Sequence, residues 1–160
     1  MKKHYPWLWF DADDQIERRA GKSIAEIFAD NGEQAFRDLE SQVVGELSRR
    51  DRVVLAVGGG AVLRVENREA IKRQGRVVWL TASPETHWRR ITEDQATASR
   101  RPNLTASGGI TEIVATLAAR QEIYRACADF EVDTDDRTPG QVADAILTQW
   151  DLKQASDEPA

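Results

Sequence analysis

The sequence predicts an α/β fold, a three-layer α/β/α architecture built around a parallel sheet. Two observations lead to this prediction: short apolar runs alternate with longer amphipathic segments, and the runs are too uniformly apolar to have a solvated face. The chain has 160 residues, 41% of them hydrophobic and 31% charged, which suits one compact domain. We therefore expect one domain over residues 1–152 and a polar, disordered tail over residues 153–160.

The first half of the chain contains two predicted strands. Trp7–Phe10 is a short apolar run that ends at Asp11, as a buried strand leading into a helix does. From Asn31 to Arg50, apolar residues recur every three or four positions and predict an amphipathic helix. Val53–Val57 is a continuous apolar run before three glycines, which predicts a second buried strand.

The second half continues the alternation of helices and strands. A helix is predicted over Val65–Gln74, with Gly75 as its glycine cap. The remaining predicted elements are a strand at Val77–Leu80, a helix from Pro84 to about Asp94, a helix from Ile110 to Ala128, a strand at Phe130–Asp133 and a final helix from Pro139.

Composition and charge exclude several classes of function. Asp and Glu number 27 against 22 Lys and Arg, so the net charge is −5, and no basic stripe predicts a nucleic-acid partner. A single cysteine, Cys127, cannot form an internal disulfide. The first residues lack the long apolar stretch of a signal peptide or membrane helix, so we expect a cytoplasmic protein with no membrane partner.

Carboxylates and glycines follow the two predicted strands of the first half. Asp11 and Asp13 lie where open α/β sheets form their ligand crevice, although an aspartate before a helix is also a favoured N-cap. Gly58, Gly59 and Gly60 indicate either a close approach of a ligand to the backbone or a tight turn between strand and helix. Both interpretations stay open for both groups.

Three arginines are candidates for binding anions. Arg37 and Arg120 each lie on a predicted helix, where a solvated face is the ordinary alternative, but an arginine pair would match a small carboxylate. Arg101 lies in the segment 94–109, which is rich in small and polar residues and is either a closing lid or an exposed loop.

The order and spacing of these motifs resemble the shikimate kinase family. The resemblance runs from Phe10 to about Trp150. It is carried by the motifs Phe10-Asp11-Ala12-Asp13, Gly21-Lys22-Ser23-Ile24-Ala25-Glu26-Ile27-Phe28, Gly32-Glu33, Phe36-Arg37 with Glu40, Gly58-Gly59-Gly60-Ala61-Val62, Arg101-Pro102 and Arg120.

The resemblance implies a P-loop kinase-like fold that phosphorylates the 3-hydroxyl group of shikimate with ATP and Mg²⁺, on the route through chorismate to aromatic amino acids. It implies a monomer with shikimate as its small-molecule partner. On the shikimate side, the resemblance implies that Asp13 is the base that binds the hydroxyl groups, that Arg37 and Arg120 bind the carboxylate, and that Gly58, Gly59 and Gly60 contact shikimate. On the nucleotide side, it implies that Asp11 lies near magnesium and that Arg101 contacts the transferring phosphates. It also implies that Arg137 and Pro139 lie beside adenine.

The family's N-terminal strand, P-loop and helix have no counterpart in this sequence. The P-loop motif is G-x-x-x-x-G-K-[ST], and the one Gly-Lys-Ser, at residues 21–23, has Ile16 where the motif requires glycine. In the family the missing strand lies between the strands predicted at Val53 and Val77, so its loss leaves edges unpaired. We expect these strands to pair with each other, a partner to fill the gap, or the working protein to carry an upstream P-loop.

Three functional hypotheses follow. The leading one is a shikimate kinase completed by an upstream P-loop. The alternatives are an inactive shikimate-binding module and a structural or interaction protein. In the latter, Trp7, Trp9 and the incomplete sheet form a surface for another chain, or the incomplete sheet allows self-association. Titration with shikimate and ATP separates the first two, and sedimentation exposes the third.

Overall fold

A computed structural model describes residues 6–93 and 109–157 of the chain. These residues form two compact units, one within residues 6–75 and the other within residues 76–93 and 109–157. The single domain over residues 1–152 therefore stays a prediction.

The described elements follow the predicted order. The strands are β1 (Leu8–Asp11), β2 (Val53–Ala56), β3 (Val78–Thr81) and β4 (Phe130–Asp133). The helices are α1 (Ala12–Ala20), α2 (Ile24–Leu47), α3 (Val65–Gln74), α4 (Pro84–Glu93), α5 (Gly109–Cys127) and α6 (Pro139–Asp157), with a short 3-10 helix at Ala61–Leu63.

The described strands form two parallel pairs. β1 pairs with β2 in the first unit, and β3 pairs with β4 in the second. The three expectations for the strands near Val53 and Val77 stay predictions, because β2 and β3 belong to different units.

The core of the first unit lies between the β1–β2 pair and the helices α1 and α2. Its buried side chains include Ile16, Ile27, Phe36 and Val43, and Phe10 and Leu55 of the strands pack against them. Burial of each such side chain contributes roughly 1.5–3 kcal/mol. Trp9 and Val54, which are register partners, are 70% and 54% exposed, so the prediction that both strands are buried is wrong at these positions.

Helix α2 begins earlier than the sequence predicts. Ser23 caps it in a reciprocal capping box with Glu26, so helical structure starts at Ile24 rather than at Asn31. Gly32 interrupts the helix with a φ of 79°, a left-handed conformation that favours glycine. The break explains the late predicted start, because the apolar periodicity is regular only after Gly32.

The Gly-Lys-Ser sequence joins the helices α1 and α2. Gly21 ends α1 in the left-handed conformation, and its N–H donates to Glu17 O at 2.9 Å. Lys22 Nζ donates to Asp30 Oδ2 at 2.8 Å, and Ser23 caps α2. All three residues therefore serve the α1–α2 connection.

Helix α3 ends at Gln74, with Gly75 as its C-cap, as predicted. Gly75 is extended, with φ −110° and ψ 165°. A Cβ there would lie 2.8 Å from Ile71 O, so the glycine is required by space rather than by its φ angle.

The second unit packs α4 with α5 and α6 with β4. Helix α6 continues to Asp157, whereas the sequence predicts a disordered tail from residue 153. The segment predicted as a lid, 94–109, lies outside the described residues except for Gly109, the first residue of α5. In the described part of the chain, no helix is long and apolar enough to cross a membrane.

Candidate functional site

The carboxyl ends of β1 and β2 form one edge of the first unit. Asp11, the last residue of β1, is the register partner of Ala56, the last residue of β2. Because the two strands are parallel, the α1 N-terminus and the Gly58–Gly60 turn leave the sheet at this same edge. The fold thus brings the predicted aspartates and glycines to one place.

Asp11 acts as the N-cap of α1. Its Oδ1 accepts hydrogen bonds from the backbone N–H groups of Asp13 at 2.9 Å and Asp14 at 3.3 Å. Both bonds use Oδ1, so the capping role does not consume Oδ2. Asp13 lies half-buried in the first turn of α1, where its carboxylate and that of Asp14 lie at the positive end of the helix dipole.

The glycine turn leads directly into the 3-10 helix. Ala61 N–H donates to Gly58 O at 3.0 Å, and Leu63 N–H donates to Gly60 O at 3.1 Å. A Cβ on Gly58 would have nothing within 4 Å, but one on Gly60 would lie 2.5 Å from Arg37 Nη1. The turn is tight, and at Gly60 it is also a close approach, made by the protein's own arginine.

Three contacts hold the guanidinium group of Arg37 on α2. Nη1 donates to Glu40 Oε2 at 2.8 Å, Glu33 Oε1 lies 3.4 Å from Nε, and the guanidinium stands 5.1 Å from the centre of the Phe36 ring. The Arg37 side chain is 17% exposed and that of Glu40 is 3% exposed. A mostly buried arginine paired with a buried carboxylate has a fixed direction, as binding of a carboxylate ligand requires.

Two residues of this arrangement are not among the site residues that the sequence predicts. Glu40 belongs to the recognised motifs but received no role, although its i,i+3 spacing from Arg37 is the signal for an ion pair on a helix. Arg64 donates from Nη1 to Arg37 O at 3.1 Å. Its distance of 27 residues along the chain gave no such signal.

The other described candidates lie in the second unit. Arg120 is half-buried on α5, and Arg137 and Pro139 are exposed where the loop after β4 enters α6. The predicted pairing of Arg37 with Arg120 on one carboxylate stays a prediction. Arg101 lies outside the described residues.

The loop after β4 is held to α4 by hydrogen bonds. Arg90 donates from Nη1 to Thr134 Oγ1 and from Nη2 to Thr134 O, both at 2.8 Å. Asp135 Oδ2 accepts from Ser83 N–H at 2.9 Å. Hydrogen bonding by the Thr86 hydroxyl, and then by Ser83, holds the pKa of Asp135 below its usual value.

The described residues hold no group of three or more His, Cys, Asp or Glu side chains that could bind a metal ion. Magnesium that is bound together with a nucleotide takes one or two carboxylates, several waters and phosphate oxygens. Asp11 at the sheet edge can provide one such carboxylate.

Comparison with known proteins connects the chain to one family. The family model for shikimate kinase matches residues 2–151. The shikimate kinase of Rhodopirellula baltica is 44% identical over 137 residues, covering 86% of this chain and 73% of the relative. That of Cupriavidus pinatubonensis is 41% identical over 164 residues, covering 98% of this chain and 82% of the relative.

Solved structures show the same fold. Shikimate kinase from Acinetobacter baumannii in complex with shikimate superimposes with a TM-score of 0.80 at 30% identity, covering 96% of this chain and 82% of that one. Shikimate kinase from Aquifex aeolicus superimposes with a TM-score of 0.73 at 28% identity, covering 95% and 84%.

Proposed function

The chain belongs to the shikimate kinase family, and we propose that the edge of its first unit binds shikimate for phosphorylation of the 3-hydroxyl group by ATP. The family consists of phosphotransferases that act on shikimate and use ATP and Mg²⁺, and the P-loop kinase fold is shared with the solved members. The product is then 3-phosphoshikimate, on the way to chorismate and aromatic amino acids.

The observation that supports the proposal most strongly is the fixed position of the Arg37 guanidinium at this edge. The guanidinium lies against Gly60 and is paired with buried Glu40, at the same sheet edge as two aspartates. A small ligand with a carboxylate at one end and hydroxyl groups at the other matches this distribution of charge. Shikimate has that chemistry, and the Acinetobacter baumannii relative is solved in complex with shikimate.

Each residue has a defined part in the proposed reaction. Arg37, with Arg120, binds the carboxylate, and the backbone of Gly58–Gly60 contacts the ring. Asp13 binds the hydroxyl groups and accepts the proton of the 3-hydroxyl as its oxygen forms the bond to phosphorus. Positioning and charge stabilisation of this kind supply most of the catalysis in phosphoryl transfer.

The nucleotide side of the reaction is proposed from the family alone. ATP supplies the phosphoryl group, and magnesium neutralises charge on its phosphates. Asp11 would hold magnesium through Oδ2, because its Oδ1 is used in the helix cap. Arg101 would stabilise the transferring phosphates, and Arg137 and Pro139 would contact adenine.

The decisive assay measures ADP release with shikimate, ATP and magnesium. It compares the chain as printed with the same chain preceded by the strand, P-loop and helix of a relative. The sequence predicts turnover in the extended chain and none in the chain as printed, because Gly21-Lys22-Ser23 is used to connect two helices. If neither form turns over while shikimate still binds, the protein is a shikimate-binding module instead.

One observation favours a second candidate, self-association. Trp9 and Val54 are neighbours in the register of β1 and β2 and are 70% and 54% exposed. Sedimentation velocity at several concentrations tests it: a constant monomeric coefficient supports a monomeric enzyme, whereas a concentration-dependent increase supports association.

A further inference from the structure

We propose that Arg64 is a positioning residue for shikimate binding, because it fixes the turn of α2 that carries Arg37 relative to the glycine turn. The inference deepens the proposed function and rests on it, since the site is the same. It adds a residue from outside the recognised motifs, and it predicts an effect that is specific to the substrate carboxylate.

Arg64 reaches three groups on one turn of α2. Nη1 donates to the backbone oxygen of Arg37 and to Ser41 Oγ, both at 3.1 Å, and Nη2 is ion-paired with Asp38 Oδ1 at 2.8 Å. A carbonyl oxygen has two lone pairs, so Arg37 O can accept this bond and still take part in the helix. The Arg64 side chain is 21% exposed, so water competes weakly for these bonds.

The contacts of Arg64 and Arg37 join the same two segments in opposite directions. Arg64 extends from the end of the 3-10 helix to the backbone of Arg37, while the Arg37 side chain extends back to Gly60, at the start of that helix. Four positions separate Gly60 from Arg64. The two contacts therefore close a small ring, in which Arg64 sets how far the Arg37 guanidinium projects past Gly60.

This function requires the geometry of arginine. Its planar fork offers separate nitrogens to the Arg37–Ser41 pair of acceptors and to Asp38. A lysine has one nitrogen and cannot bond both groups in that geometry. Arg64→Lys consequently keeps the positive charge and removes the contacts that hold α2 and the glycine turn in a fixed relative position.

The chain offers a matched control. Arg68 donates from Nη1 to Val62 O and Leu63 O at 2.6 and 3.0 Å. Like Arg64, it contacts backbone carbonyls, but these belong to the 3-10 segment rather than to α2. Arg68→Lys thus reports the effect of weakening an arginine-to-backbone contact without changing the link to Arg37.

The experiment titrates the full chain and its variants with shikimate and with shikimate methyl ester, using amide chemical shifts in NMR spectra. The ester lacks the carboxylate charge, and dispersed spectra show that each variant is folded. We expect Arg64→Lys to weaken shikimate binding about 10-fold, the effect of one charge-assisted hydrogen bond, and ester binding less than about 2-fold. Arg68→Lys should change both affinities less than about 2-fold.

A second pair of variants keeps the proposal testable if Arg64→Lys does not fold. Asp38→Asn removes the negative charge that pairs with Arg64, Ser41→Ala removes one acceptor on α2, and both leave Arg64 in place. Each should weaken shikimate binding roughly 2- to 4-fold without affecting the ester. Because Asp38 is half-exposed, its loss should be small on its own.

The outcomes separate the two proposals. If the unaltered chain binds no shikimate, the proposed function is wrong. If it binds shikimate and Arg64→Lys does not weaken binding, or weakens shikimate and ester alike, Arg64 does not act through Arg37. An equal loss in Arg68→Lys would likewise overturn the inference, because the general integrity of the turn would then explain the result.

Discussion

The guanidinium group of Arg37 lies directly against the backbone of Gly60. A Cβ at Gly60 would stand 2.5 Å from Nη1, 2.8 Å from Nη2 and 2.9 Å from Cζ of Arg37. No side chain larger than hydrogen fits while the arginine keeps this position. The third glycine of the turn is thus required by an arginine 23 residues earlier in the chain.

Gly60→Ala should displace the Arg37 guanidinium rather than unfold the chain. The clashing atoms are the end of a flexible side chain, so we expect a loss of stability below about 1 kcal/mol. Shikimate affinity should fall at least about 10-fold, because the fork no longer points at the carboxylate. Calorimetric titration and urea unfolding measure the two effects.

Gly45→Ala provides the control, since Gly45 lies within α2 with nothing near its Cβ position. It should leave shikimate affinity unchanged and stabilise the helix by up to about 1 kcal/mol. Equal affinity in Gly60→Ala and the unaltered chain would show that the Arg37–Gly60 contact does not position a ligand.

Glu40→Gln should destabilise the first unit by about 2–3 kcal/mol, because it leaves the mostly buried Arg37 charge without its buried partner. Glu33→Gln is the natural comparison, since Glu33 also faces Arg37 but its side chain is 66% exposed. That exposed pair should cost less than about 0.5 kcal/mol. Urea unfolding of both variants measures these losses of stability. Similar losses in Glu40→Gln and Glu33→Gln would contradict the assignment of Glu40 as the principal partner of Arg37.

Asp13→Asn should separate binding from chemistry. The amide retains hydrogen bonds to the shikimate hydroxyls but accepts no proton, so kcat should fall roughly 10²- to 10⁴-fold in the chain that carries a P-loop. The shikimate Kd should change less than about 5-fold, because a neutral hydrogen bond replaces a charge-assisted one. A kcat near that of the unaltered enzyme would show that Asp13 is not the general base.

The second unit should lose stability in acid through Asp135. Because the Thr86 hydroxyl and Ser83 lower the pKa of this carboxyl, the unfolded chain takes up its proton first as the pH falls. The stabilisation is complete above the ordinary aspartate value of about 3.9 and is lost as the pH falls through the lower folded value.

Urea unfolding between pH 7 and pH 3 checks this dependence. The difference in unfolding free energy between the unaltered chain and Asp135→Asn should be constant near neutral pH and shrink below about pH 4. Asp136→Asn removes the same charge one position later without removing these hydrogen bonds, and so reports the effect of net charge alone. A difference that stays constant down to pH 3 would contradict the role of the Asp135 hydrogen bonds.

The sequence predicts the elements well where its pattern is local. The apolar run at Val53–Ala56 and the helix at Val65–Gln74 were predicted within one residue of their bounds, because periodicity and glycine positions determine them. The start of α2 was missed, since Gly32 breaks the periodicity without ending the helix. Gly75 was correctly predicted as the cap of α3, but the constraint on it comes from Ile71 O, which a pattern of residue types does not show.

The candidate site was predictable in part. The resemblance selected Asp11, Asp13, Arg37 and the glycines, and the parallel β1–β2 register brings the aspartates and glycines to one sheet edge. The bonds of Arg64 were not predictable, because their acceptors on α2 are defined by the packing of segments more than 20 residues apart.

The most direct test of the central claim is a calorimetric titration of the unaltered chain and Arg37→Lys with shikimate. Lysine keeps a positive charge beside Glu40 but lacks the planar fork, so circular dichroism should show a folded variant while affinity falls at least about 10-fold. Binding by the unaltered chain that is lost in Arg37→Lys supports a shikimate site built on Arg37. Equal affinities in two folded proteins would show that this arginine does not bind the carboxylate.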